Sequence, residues 1–433
     1  MSTLTLALDK LPPSGRIVVG LSGGLDSSVL LHLLAQIPAL KSRLSALHIR
    51  HGLSPNADSW ELHCREFCQR LAVPFSSIQV DVSRQQASLE LAAREARYLA
   101  FSAHLTAQEI LVTAHHQNDQ AETFFLRLMR GSGLDGLTAM QEWASFDHFA
   151  IWRPLLGYSR QQLEAYAIQH ALKWIEDESN QNNEFDRNYL RNQLMPILQK
   201  RWPQAINSIS RATENLQESQ QLLQEIANDE LTRFAVGKKL NWEGLASYSL
   251  EKKKLIMRAW LKLNSIKAPS SAQLTSLIDM MSSEKKDAMP LFEFAAYEVR
   301  RFQNTLYLRD KTAMSSDVNI KNLNLNINDA LPLGKLTISE TKQGARLDSA
   351  KIKADLLTIR FRRGGERLKL PGQAHSKDLK NLLQAAAIPP WIRPQLPLIY
   401  LGDELVCIPG IGVAHGWQGE DNQSGWQIQW DQL

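Results

Sequence analysis

Between two apolar runs, Val18-Val19-Gly20-Leu21 and Val29-Leu30, lies Ser22-Gly23-Gly24-Leu25-Asp26-Ser27-Ser28: adjacent glycines, hydroxyls and a carboxylate. Adjacent glycines let a backbone approach an anion closely, and serine hydroxyls add donors. A helix starting there contributes free N–H groups and the positive end of its dipole. The segment reads as a phosphate-binding turn between a strand and a helix. It lacks the lysine of a Walker loop and the spacing of a dinucleotide fingerprint, so GTPase-like and dehydrogenase readings fit poorly. The bland alternative is a tight turn capped by Asp26.

Other residues have spacings that suit chemistry. Asp119 and Glu122, i and i+3 at a helix start, share one face where a cation fits, or merely complement the helix dipole. His115 and His116 follow an apolar strand, where either one orients phosphate, binds a base or caps the strand; His115 is preferred. Arg94 and Arg97 suit phosphate or a solvated helix face, and Arg187, Asn188, Arg191 and Asn192 suit phosphate and ribose contacts on a helix. From Lys351 to Lys380 there are nine Lys/Arg against three acids. Strand alternation there puts Arg360 and Arg362 on one face, with Arg363 beside them, a face suited to an RNA backbone. Cys64 and Cys68, i and i+4 without further ligands, read as packing residues.

These groups need elements to position them. Arg16–Leu21, Leu44–Ile49, Phe75–Val82 and Ile110–Thr113 read as strands alternating with amphipathic helices, the pattern of an α/β doubly wound parallel sheet. The alternation stops near Arg201–Pro203, and a polar helical connector from Asn207 to about Glu230 leads into a mostly helical middle segment. A polar stretch around Asp310–Asp329 then precedes strand-like runs at Leu357–Phe361 and Leu396–Leu401. The expected domains are 1–210, a helical 211–310 and a small α+β 330–433, consistent with 433 residues exceeding one core. Hydrophobic residues at 44% and charged residues at 22% fit a globular chain. No apolar run is long enough for a membrane span, Met1–Lys10 lacks a basic start, and three cysteines fit no disulfide framework. The expectation is a cytoplasmic protein without membrane contact; a homodimer is left open. The net charge of +4 permits nucleic-acid binding without demanding it.

The run Ser22–Ser27 resembles the pyrophosphatase-loop superfamily, whose members split ATP between its α- and β-phosphates and adenylylate a substrate. Four further segments narrow the resemblance: His48-Ile-Arg-His51-Gly52-Leu53, Ala93-Arg94-Glu95-Ala96-Arg97-Tyr98, His115 through Gly133, and Asp177–Asn180 with Arg187–Asn192. Together with Arg360–Arg367 and Ile388–Arg393 they are similar to tRNA(Ile)-lysidine synthetases of the long, three-domain form.

The resemblance implies an adenine nucleotide α-hydrolase-like, Rossmann-like N-terminal domain. It also implies a ligase that uses ATP and Mg²⁺ to adenylylate the wobble cytidine of isoleucine tRNA with a CAU anticodon. L-lysine then replaces AMP at ring carbon C2, giving lysidine and changing codon reading from AUG to AUA. Ser22, Gly23, Gly24, Leu25, Asp26, Ser27 and Ser28 would hold ATP, with Asp26 as the Mg²⁺ ligand. Asp119 and Glu122 would hold lysine, His115 and Arg97 would assist, and Arg187, Asn188, Arg191, Arg360, Arg362 and Arg363 would contact the tRNA. The ε-amine of lysine, with a reference pKa of about 10.4, must first lose a proton.

Overall fold

The computed structural model describes residues 4–50, 56–80, 89–282, 289–311, 323–324, 330–331, 334–342, 346–351, 357–419 and 423–432. His51, Gly52 and Leu53, the far end of the strand expected at Phe75–Val82, and most of the polar 310–329 stretch lie outside the described residues. The chain forms two compact units, Met1–Glu225 and Ile226–Leu433.

The first unit alternates β1 (Ile17–Gly20), α1 (Leu25–Ala35), β2 (Leu44–Arg50), α2 (Ala57–Arg70), β3 (Phe75–Gln79), α3 (Leu89–His104), β4 (Ile110–Val112) and α4 (Gln117–Met129). After a short α5 (Leu134–Leu137), a hairpin of β5 (Trp143–Phe146) and β6 (Phe149–Trp152) completes a six-stranded sheet in the order β3-β2-β1-β4-β6-β5. All neighbours pair parallel except β5 with β6. Strand side chains alternate between two cores: Ile17, Val19, Ala46 and Val112 enter one with α1, while Val18, Leu47 and Leu111 join Tyr98 and Phe101 of α3 in the other. Burial on both faces is why these strands read as continuous apolar runs.

α6 (Arg160–Gln169) follows, and then a helical run in which α7 (Asp186–Tyr189) and α8 (Met195–Arg201) flank one π-helical turn, Leu190–Leu194. The boundary expected at 210 falls within α9 (Ala205–Phe234), one continuous helix that also carries the division between the two compact units at Glu225/Ile226. In its first half Gln217 Nε2 donates to Thr138 O and Met140 O at 2.8 and 2.9 Å. In its second half Ala227 and Leu231 enter the middle core.

That middle segment is helical in α10 (Leu250–Leu263) and α11 (Ser271–Met281), and it adds an antiparallel sheet where the sequence pattern predicts helices. β7 (Ala235–Val236), β8 (Lys239–Asn241), β9 (Leu291–Phe294), β10 (Tyr297–Phe302) and β11 (Thr305–Asp310) run in the order β7-β8-β11-β10-β9. Its tight turns place Ala295 and Gln303 at positive φ, without the Asn-Gly or Gly signals that announce a hairpin. The carboxyl-terminal part packs its strands around two apolar clusters, one centred on Leu336, Ile359 and Val406 and the other on Leu379, Leu383 and Leu398. No helix among the described residues is long and apolar enough to cross a membrane.

Candidate active site at the carboxyl ends of the parallel strands

β1 and β4 are neighbours, and the sheet builds outward from them in opposite directions. In open α/β sheets a crevice forms at such a switch point, beyond the carboxyl ends of the strands. The turns after β1 and β4 carry the two groups of residues singled out above.

In the first turn Gly23 adopts φ +86°, and a Cβ there would lie 2.9 Å from Cys64 Sγ and 2.9 Å from Ile175 Cδ1. Gly23 O accepts from Ile175 N at 2.9 Å. Gly24 is extended and no side chain caps α1, so its first turn keeps amide donors of the kind that hold anions. Ser22 Oγ and Ser27 Oγ are 3.1 Å apart, and Ser27 Oγ donates to Gly24 O at 3.1 Å. Leu25 belongs to the core, and the Ser28 hydroxyl is buried without a hydrogen-bond partner among the described residues. Beneath the turn, His48 Nδ1 donates to Leu21 O at 2.8 Å, with Cys64 Sγ 3.7 Å away. Cys64 and Cys68 are buried free thiols, each with its pKa pushed up to about 12, burial being the main cause.

Asp26 joins this turn to the second. Its Oδ2 lies 3.5 Å from His116 Nε2 and 3.6 Å from Arg160 Nη1, while Oδ1 is buried without a hydrogen-bond partner among the described residues. His116 Nε2 is in turn 3.4 Å from Asp119 Oδ2, which accepts from His116 N at 3.0 Å. Burial, the largest single influence, pushes the His116 pKa down, but Asp119, Asp26 and Glu122 together carry it above the ordinary imidazole value. His115 behaves oppositely. Burial, supported by Arg153, Arg187 and Arg94, lowers its pKa to about 3, and its Nδ1 lies 2.8 Å from Thr113 Oγ1. His116 rather than His115 therefore stands between two carboxylates.

Asp119 and Glu122 share the crevice wall with Arg187 and Arg191. Asp119 Oδ1 accepts from Arg187 Nη2 at 2.8 Å and from Arg191 Nη2 at 3.3 Å. Glu122 takes Arg187 Nε at 2.7 Å on Oε2 and Arg191 Nε at 2.7 Å on Oε1. Burial raises the pKa of Asp119, yet His116, Arg187, His115 and Arg191 outweigh it and hold the carboxyl well below the usual range. The π-helical turn containing Arg191 brings both arginines to one face, as such turns often do at functional sites. Two groups that the sequence pattern sends to different partners thus form one buried ion network. Asn188 Nδ2 braces the preceding loop by donating to Asn182 O at 2.9 Å. Arg97, on α3, reaches solvent, and the crowded surroundings together with Arg94 and Arg187 lower its pKa. Sequence reasoning gives no role to Arg160; its only signal is the Ser159–Gln162 capping box that starts α6 beside the crevice.

In the second unit the strand expected through Phe361 ends at Arg360, so the alternation does not reach Arg362. Arg360 stacks 4.6 Å from the Tyr400 ring and pairs with Asp403 at 3.1 Å, Arg362 lies 4.0 Å from Glu366, and Arg363 is exposed.

Comparison with known proteins agrees with this geometry. The PP-loop domain family matches residues 3–198, the TilS substrate binding domain residues 240–307, and the TilS substrate C-terminal domain residues 357–430. The tRNA(Ile)-lysidine synthase of Serratia proteamaculans is 41% identical over 423 residues, 96% of this chain and 95% of that protein. Those of Haemophilus influenzae and Coxiella burnetii are 40% identical (95% of this chain, 97% of theirs) and 37% identical (97% and 94%). With a pyrophosphatase-type loop joined to an acid–arginine network and likeness of this degree over nearly its whole length, the chain belongs to the tRNA(Ile)-lysidine synthase family.

Proposed function

We propose that this enzyme uses ATP to adenylylate the wobble cytidine of isoleucine tRNA with a CAU anticodon and then joins lysine to ring carbon C2, releasing AMP. The observation that carries the reading is the continuous line Asp26–His116–Asp119, with separations of 3.5 and 3.4 Å, which joins the phosphate turn to the acid–arginine network. A nucleotide on one side and an amine on the other would meet in a single crevice.

Each part suits a step. The cytidine O2 attacks the α-phosphorus of ATP and pyrophosphate leaves toward the open turn at Gly23–Gly24 and the start of α1. Ser22, Ser27 and Arg160 border that turn. Asp26, whose buried Oδ1 has no partner among the described residues, fits a Mg²⁺ ligand; such an ion takes one or two carboxylates plus phosphate oxygens and would supply charge neutralisation during phosphoryl transfer. In the second step the lysine nitrogen bonds to C2, the C2–O bond to the adenylyl group breaks, and AMP carries the oxygen away.

Asp119 and Glu122 seat the amine. Because Arg187 and Arg191 already neutralise both acids, an arriving ammonium meets little net negative charge and two guanidiniums, which favours its uncharged, nucleophilic form. His115, held neutral, and Arg97 line the same wall, and Asn188 sets the loop before Arg191. Arg360, Arg362 and Arg363 lie in a basic segment that suits the tRNA body, and we read residues 1–210, 211–310 and 330–433 as catalytic, middle and carboxyl-terminal RNA-binding parts. A sulfur-transfer reading finds no support, since both thiols near the turn are buried and held protonated.

The test is to incubate the protein with ATP, Mg²⁺, labelled lysine and the CAU-anticodon tRNA. Lysine in RNA, AMP and pyrophosphate should appear in equal amounts. Pyrophosphate release without lysine entering RNA, or transfer to a tRNA with another anticodon, would contradict the assignment.

A further inference from the structure

In the first unit Arg94 on α3, Arg127 on α4, Arg130 just past its end, and Arg153 just after β6 form no ion pair among the described residues, unlike Arg187 and Arg191. Their placement is specific. Arg127 Nη1 donates to Gly136 O at 2.9 Å and to Ala139 O at 2.8 Å, and Arg153 Nη1 donates to Gln141 O at 2.9 Å. Both guanidiniums are therefore braced on one short segment. Gln120 clamps that segment from α4, donating to Met140 O at 2.7 Å and accepting from Met140 N at 2.8 Å. Arg94 lies 5.1 Å over the Tyr98 ring, which also packs against Phe146 of β5 at 4.9 Å and Phe101 at 6.2 Å. Arg153 is 7% exposed, and its Nε is buried without a partner among the described residues.

Like charges gathered without an ion-paired carboxylate among the described residues repel one another and lower the cost of binding an anion. Burial and the neighbouring Arg94, Arg153 and Arg130 all push the Arg127 pKa down, in keeping with that crowding. Beside the cluster the end of α4 exposes Leu128 (40%) and Met129 (72%). Cations interleaved with exposed apolar side chains suit single-stranded nucleic acid, whose bases need apolar cover and whose phosphates need charge, better than free phosphate. Arg130, which caps the end of α4, is about 12 Å from Glu122 along the helix axis. A strand bound at the cluster would enter the crevice directly.

We propose that Arg94, Arg127, Arg130 and Arg153 seat the phosphates of the single-stranded RNA that flanks the reacting base. The inference rests on the functional reading above and adds to it the surface that presents the RNA. Braced guanidiniums hold the strand at fixed points, so the seat positions the base and takes no part in bond making.

The test uses the full-length protein and a synthetic hairpin with a CAU loop, bound at several salt concentrations. Arg130→Ala and Arg94→Ala remove exposed side chains; Arg153→Lys keeps the buried charge and loses the fork. Each variant should bind the hairpin roughly tenfold more weakly, as expected when one charge-assisted hydrogen bond is removed. The salt slope should flatten by about 0.7 for each phosphate that is no longer neutralised. Hairpins carrying one neutral methylphosphonate at successive loop positions locate the seated phosphates. At a seated phosphate, Arg130→Ala and the neutral linkage together should cost no more than either alone. Unchanged affinity and slope in all three variants, or additive losses at every position, would overturn the proposal. Equal competition by an acidic peptide would also overturn it, assigning the patch to a protein partner. Lysine transfer by the wild type is followed in a separate reaction with intact tRNA, so its absence defeats the functional reading and is told apart from failure of the seat.

Discussion

Replacing Gly23 by alanine tests the phosphate turn through two separable costs. At φ +86° an L residue sits in the left-handed region, which costs about 1–2 kcal/mol. The added methyl would also stand 2.9 Å from both Cys64 Sγ and Ile175 Cδ1. Ile175 Cδ1 is the end of a flexible side chain and can turn away. Cys64 is fully buried beside His48 and cannot, so overpacking adds about 1–3 kcal/mol. The sum is a destabilisation of roughly 2–5 kcal/mol. Denaturant titration of wild type, Gly23→Ala, Cys64→Ala and the double variant resolves it. Removing Sγ should relieve the steric part, giving a coupling of about 1 kcal/mol or more and leaving the backbone part. ATP-dependent pyrophosphate release should fall at least tenfold in Gly23→Ala at a temperature where it is folded, since relief by displacement moves the turn. Strict additivity together with wild-type release would refute the account of the turn.

Other consequences follow from the same geometry. Glu122→Gln leaves Arg187 and Arg191 short of one carboxylate in a buried network and should cost about 3 kcal/mol in denaturant titrations, whereas a loss below about 0.5 would mean the network is solvated. Cys64, Cys68 and Cys407, each with its pKa pushed up to about 12 mainly by burial, should resist iodoacetamide in the folded protein at pH 8 and react fully in denaturant; fast native labelling contradicts this. For His116 the folded pKa is raised, so its stabilisation is complete below the unfolded value of about 6.5 and lost as pH rises through the folded value. The stability difference between wild type and His116→Asn should shrink from pH 6 to pH 9, and a difference that grows reverses the sign of the argument.

What could be read from the sequence was what is local. The β1 turn and α1 announce themselves because strand, glycines and helix start are contiguous, and the strands of the parallel sheet because burial on both faces leaves them uniformly apolar. The acid–arginine network could not be read. Its partners lie 65 to 72 residues apart, and separate reasoning about two acids and two arginines sends each to a different ligand. Nor could the choice of His116 over His115, since adjacent histidines differ only in which one the end of β4 turns toward Asp26. The β9–β11 sheet could not be read, because Tyr297–Phe302 buries Glu298 and Val299 in succession and the turns at Ala295 and Gln303 carry no glycine. The span of α9 was legible to within a few residues, but not that its later part enters the middle core, since a polar surface says nothing of the core its buried stripe serves.

The central claim is a two-step reaction through an adenylylated base in one crevice. The direct measurement omits lysine: incubate the protein, Mg²⁺, ATP labelled at the α-phosphate and the CAU-anticodon tRNA, isolate the RNA under denaturing conditions, and then add lysine in a parallel reaction. The account predicts α-label on the RNA with one pyrophosphate released, discharged as AMP when lysine enters. Label that appears first on the protein or on lysine, with none on RNA at any time, would contradict it.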